Sequence, residues 1–159
     1  MSDDSENAYT RAILSAPGLF TTAHHPTASP SDADIDRMVD VIAAIQAQGL
    51  LAVQLVFTYG PALSANQRKR VSQLAKTMKH EPRVAVVSGA TLVRGAVTAL
   101  SWLGVNAKAF APADLSNAIA FLGCPVAAVD EVVRVVRAED AQRGWDSSTR
   151  LRAFASTKA

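Results

Sequence analysis

Ser64 is the side chain best placed for a chemical event, because it stands at the foot of a helical pattern with Arg68 one turn further on. A hydroxyl there reads in two ways. It could accept a phosphate, whose charge of about −2 would meet the positive end of the helix dipole and the arginines of the next turn. Otherwise it is a plain N-cap whose oxygen accepts a backbone N–H. A second set, Arg94, Thr98 and Ser101 with Trp102 at its margin, shares one face of a later helical pattern that begins near Thr91. Arginine and tryptophan are over-represented at binding hot spots, which makes this the candidate contact face. The alternative is a solvated face with an indole folded over its edge.

The remaining reactive residues are scattered. His24 and His25 are adjacent, so on extended chain they point to opposite faces, and His80 is remote; no metal site is expected from them. Gly89 lies between an apolar run and a helical pattern, a geometry that can hold an anion on backbone amides. Yet Val87–Thr91 has neither the three glycines of a dinucleotide fingerprint nor the lysine of a phosphate-binding loop. Cys124 is the one cysteine, which excludes an internal disulfide, and no neighbour motif activates it, so a structural role is expected. Asp32, Asp34 and Asp36 gather at a helix start where capping accounts for them, and no catalytic set or cofactor site is read.

Composition bounds the class. With 159 residues, 49% of them hydrophobic and 19% charged, the chain is long enough for one domain with a core. A formal charge of +2 is too small for a nucleic-acid footprint, and Arg68, Lys69 and Arg70 spread around a helix instead of forming a stripe. The acidic start, Met1–Asn7, is unlike a secretory signal, and no run approaches the roughly 18 apolar residues of a membrane span. A soluble cytoplasmic protein without a membrane span is expected.

The elements that must position these residues follow from periodicity. Residues 1–8 read as a disordered head, 9–143 as one α/β domain and 144–159 as a flexible tail. Tyr9–Leu14 and Leu19–His24, separated by Ala16-Pro17-Gly18, suit a hairpin. Ser31 with Asp34 approximates a capping box ahead of Ile35, Met38, Val39, Ile42 and Ile45, and Gly49 suits a left-handed terminator. Leu50–Phe57 and Arg83–Ser88 read as buried strands and Ala107–Ala111 as a short one. Helices are expected from Ser64, with Val71, Leu74, Ala75 and Met78 on one face, and over Thr91–Leu103. Two more are expected: one from Pro112 burying Leu115, Ala118, Ile119 and Leu122, and one from Pro125 burying Val126, Val129, Val133 and Val136.

That order of elements resembles the STAS fold of bacterial anti-sigma-factor antagonists. Residues from about Leu19 to Gly123 are more closely similar to the divergent STAS-like group that is also compared with CRAL-TRIO lipid carriers. The residues that carry the resemblance are Ser64-Ala65-Asn66-Gln67-Arg68-Lys69-Arg70, the run from Thr91 through Arg94-Gly95 to Trp102-Leu103, and Phe110-Ala111 ahead of Ala118–Leu122. STAS regulators carry an aspartate-serine-serine-glycine motif at the corresponding helix start, where phosphorylation releases a partner. Here Ser64 aligns with the aspartate and the phosphoserine position falls on Ala65 or Asn66. The resemblance thus implies a mixed central sheet with helices packed on it and a regulatory, non-enzymatic signalling role. A protein partner, or a second copy of the chain, would be bound near Ser64, Arg68, Thr91, Arg94 and Trp102; Ser64 is the phosphorylation candidate by its place at the helix start, not by the resemblance. A second reading is an apolar-ligand carrier, with a cavity of at least about 300 Å³ against Val97, Leu100, Ile119 or Phe121.

Overall fold

Near-continuous apolar runs such as those at 19–24 and 83–87 are buried on both faces, and the chain covers the sheet with helices on each side. In the computed structural model, residues 6–59, 63–78, 83–89, 97 and 106–151 are described. Strand β1 (Ala8–Ala12) turns back into β2 (Leu19–His24), and β3 (Val53–Phe57), β4 (Arg83–Val87) and β5 (Asn106–Phe110) complete a five-stranded sheet in the order β1-β2-β3-β4-β5. The first pair is antiparallel and every later pair parallel, so the expected α/β architecture with a mixed sheet is present.

Helix α1 (Asp32–Ala47) follows β2, and α2 (Ala65–Thr77) follows β3. After β5 a 3-10 turn (Pro112–Asp114) leads into α3 (Leu115–Phe121), and α4 (Ala128–Arg143) is the last helix among the described residues. The sheet divides the core in two. Leu19, Ala23, Val53, Leu55, Phe57, Ala85, Val87 and Phe110 face α3 and α4, packing on Leu115, Ile119, Val129, Val132, Val133 and Val136. Phe20 faces the other way onto Ile35, Met38, Ile42 and Ile45 of α1, with Val71 and Leu74 of α2 and its C-cap Met78 partly buried beside them.

Three boundaries differ from the sequence pattern, each for a physical reason. The run Leu50–Phe57 begins pairing only at Val53, because the parallel ladder to β2 starts opposite Leu19; Leu51 is left exposed. Val126 was expected on the buried stripe of the last helix but is exposed, because that helix begins at Ala128 and its buried positions are Val129, Val132, Val133, Val136 and Asp140. Ala8, read from the sequence as part of the head, is in β1 and pairs with His24. The helix expected over Thr91–Leu103 lies outside the described residues except for Val97, which is helical and packs against Val84 and Val86.

Packing also continues past residue 144, where no pattern was read. Gly144 ends α4 with φ +72°, a left-handed conformation that glycine adopts without a Cβ penalty. Trp145 then packs against the core, and Arg150 and Leu151 are buried.

Candidate functional site

In a sheet whose consecutive strands run parallel, the carboxyl ends of the strands are where loops and helix starts collect. Ser64 is found there, exposed, as the N-cap of α2. Its hydroxyl accepts from Gln67 N at 3.1 Å and its own N–H donates to Gln67 Oε1 at 3.0 Å, a complete capping box. Gln67 is buried, and its Nε2 donates to Pro30 O at 2.9 Å and Asp32 Oδ1 at 3.1 Å. One glutamine therefore welds the start of α2 to the start of α1, where Ser31 and Asp34 form a second capping box. Arg70 adds an ion pair to Asp36. Arg68 is half-buried and donates from Nη1 to Leu63 O at 2.8 Å, bracing the same turn. Thr91, Arg94 and Trp102 lie outside the described residues.

Capping is thus the structural task that Ser64 performs. Ser64→Ala should cost about 1 kcal/mol in urea unfolding, whereas Ser64→Asp, which keeps an acceptor oxygen, should stay within about 0.5 kcal/mol of the parent. No loss in Ser64→Ala would show that the cap contributes nothing.

A second polar cluster, absent from the sequence-based candidates, sits where the chain's last described segment meets its first strand. Asp140 is fully buried and accepts from Tyr9 Oη at 2.9 Å. Arg150 is only 3% exposed, and its Nε lies 3.1 Å from Asp140 Oδ2, an ion pair off hydrogen-bond alignment. Arg150 Nη2 donates to the His24 carbonyl, while Nη1 is buried without a hydrogen-bond partner. The guanidinium lies over the Tyr59 ring at 4.7 Å and near the Trp145 ring at 5.8 Å. Trp145 stacks on Tyr9 at 5.7 Å and meets His25 edge-on at 5.2 Å. Arg143, bound to Glu6 and Glu139, lies 4.6 Å from the Tyr9 ring and 5.8 Å from the Trp145 ring.

Burial dominates the electrostatics of this cluster. It pushes the Tyr9 phenol up, and the Asp140 charge pushes it further. It also raises the Asp140 carboxyl, against the pull of Arg150 and the Tyr9 hydrogen bond. His24 is driven down to about 4, first by burial and then by the Arg150 charge, with Asp34 opposing. A buried cation with one counter-ion and two unmade hydrogen bonds is an incompletely satisfied network, which is where low dielectric makes each missing partner costly.

The sequence did contain a sign of this cluster. Val129, Val133 and Val136 set a stripe whose next member is Asp140, and a carboxylate in line with an apolar stripe needs a buried partner. The partner lay in a stretch without periodicity, which gave no means of pairing it.

Other expectations can now be placed. His24 and His25 do diverge: the Nδ1 of His25 accepts from Ala28 N at 2.9 Å and Thr27 N at 3.0 Å, closing the loop after β2. His80 lies outside the described residues, and among those described no group of three or more His, Cys, Asp or Glu could hold a metal ion. Cys124 is half-buried with its thiol pushed up by burial. Ile119 is fully buried opposite the sheet from Val97, so the two cannot line one cavity. A cavity of about 40 Å³ lies between α1, α2 and the sheet, lined by Phe20, Met38, Ile42, Val71, Leu74 and Met78 among others. That is room for a water or two, well below a lipid-sized pocket. Among the described residues no helix is long and apolar enough to cross a membrane. Comparison of the chain with known protein families, with curated proteins and with solved structures found no match.

Proposed function

We propose that the chain is a non-enzymatic regulatory module of STAS-like type that recognises a protein partner at the carboxyl edge of its parallel strands. The contact comprises the α2 start at Ser64 and Arg68, together with Thr91, Arg94 and Trp102 of the segment after β4. The observation that supports this reading is the Gln67 weld: by fixing the starts of α1 and α2 to each other, it presents Ser64, Ala65 and Asn66 as an exposed rim that need not be ordered on binding. A rim already held in place saves the partner the cost of immobilising it. The same surface on a second copy of the chain would serve a homodimer.

Native mass spectrometry of the tagged chain, purified from the cell that makes it, tests the proposal. The parent should retain one protein species at fixed stoichiometry. Asn66→Arg, which places bulk and charge on the rim, should reduce retention at least about tenfold, as should Arg94→Ala with Trp102→Ala, with unchanged circular dichroism. Gln46→Arg, exposed at the far end of α1, should leave retention unaltered. A partner retained equally by all four proteins binds elsewhere, and the proposed surface is then wrong.

A further inference from the structure

We propose that the segment Trp145–Leu151 is an acid-released latch, in which protonation of the His24 ring drives Arg150 off the sheet edge and uncovers the rings of Tyr9 and Tyr59. The segment is built as a separable unit. Its backbone and small polar groups bond mostly within it or to the end of α4: Ser148 N and Oγ to the Asp146 carboxylate at 2.9 and 2.8 Å, Leu151 N to Ser147 O at 3.0 Å, Trp145 N to Asp140 O at 2.8 Å. Beyond α4 the bonds that tie it to the sheet and its loops are few. Among the described residues they are those of Arg150 to His24 O, of Tyr59 Oη to Asp146 O at 3.3 Å and of the Tyr59 side chain to Thr149, with the ring and guanidinium contacts around them and Leu151 seated in the core. Gly144, in its left-handed conformation, marks the joint with α4.

His24 is the trigger because its carbonyl holds Arg150 while its own Nδ1 is buried without a partner. A proton on that ring sets a second cation beside a guanidinium that is already short of hydrogen bonds. Asp34, at the start of α1, faces the ring with opposite charge, but Arg37 is paired to it. The remaining charged and titratable groups around the latch are Asp140 on α4, Tyr9 on β1, Tyr59 after β3, Arg143, Asp146 and His25.

The sign follows from the direction of each shift. The ring binds a proton less well docked, near 4, than free, near 6.5, so His24 favours docking above 6.5 and loses that contribution as pH falls toward 4. Over that window the docking equilibrium changes by roughly two orders of magnitude if release restores the ordinary ring. Asp140 acts in the opposite sense, since its raised carboxyl holds a proton better when docked. Removing His24 is therefore the discriminating change.

The test uses the full chain carrying Trp102→Phe, which leaves Trp145 as its one tryptophan. Between about pH 7.5 and about pH 4.5 its emission should shift to the red while the far-ultraviolet circular dichroism stays constant. His24→Gln in that background should match the parent at the upper pH and lose the shift. No shift, a shift that coincides with loss of helix signal, or a shift that persists without His24 would each overturn the proposal. Should His24→Gln fail to fold, an NMR titration of the parent decides: the His24 ring and the Trp145 indole N–H should move with one midpoint, and separate midpoints reject the coupling.

Discussion

Arg150→Met should lose about 3–5 kcal/mol in urea unfolding, more than any single cap or surface change in this chain. The substitution keeps most of the aliphatic volume but leaves the Asp140 carboxylate fully buried without its counter-ion, with the Tyr9 hydroxyl as its hydrogen-bond donor. Arg143 cannot take over, because it is already engaged by Glu6 and Glu139. Removing both charges together, as Arg150→Met with Asp140→Leu, should recover much of the loss, since a buried pair is costly to break and often neutral to replace as a whole. A single variant within about 1 kcal/mol of the parent would mean that the pair is not buried in solution.

Gly18→Ala should be the second large effect, at about 3 kcal/mol or more, from backbone strain plus displacement of a neighbour. Gly18 closes the turn between β1 and β2 with φ +91°, where a side chain is strained. A Cβ there would also lie 2.2 Å from the carbonyl oxygen of Leu51. That oxygen belongs to backbone leading into β3, and Gly18 O itself accepts from Val53 N at 2.9 Å. The damage therefore falls on the first turn and on the entry to the parallel ladder together. A thermal midpoint unchanged in Gly18→Ala would show that this approach is looser than described.

Local physics made much of the fold legible before any coordinates. The Ser31–Asp34 capping box was written in side chains that act on their own turn, and the structure forms both halves of it. The α3 stripe of Leu115, Ala118, Ile119 and Leu122 is buried as its spacing required. What failed was anything set by a distant partner. Leu50–Phe57 looked continuous, yet the start of pairing was decided by where Leu19 stands on the neighbouring strand. Val126 fitted a stripe, yet the helix start displaced it.

The candidate site divides in the same way. Ser64 was recognisable because N-caps are local, while the role of Gln67 in joining two helix starts depends on Pro30 and Asp32, far away in the chain. Arg150 was invisible because a lone arginine among serines and threonines carries no periodicity, and only the fold brings it to Asp140 and His24.

The bond between Tyr9 and Asp140 spans 131 residues of sequence, so a nascent chain has no means of completing its first strand's surroundings when that strand is made. At ribosomal speeds of about 5–20 residues per second, the β1–β2 pair waits roughly ten seconds for its cover. During that interval the apolar side chains of β1 and β2 lack the cover that α4 and the segment after it later supply.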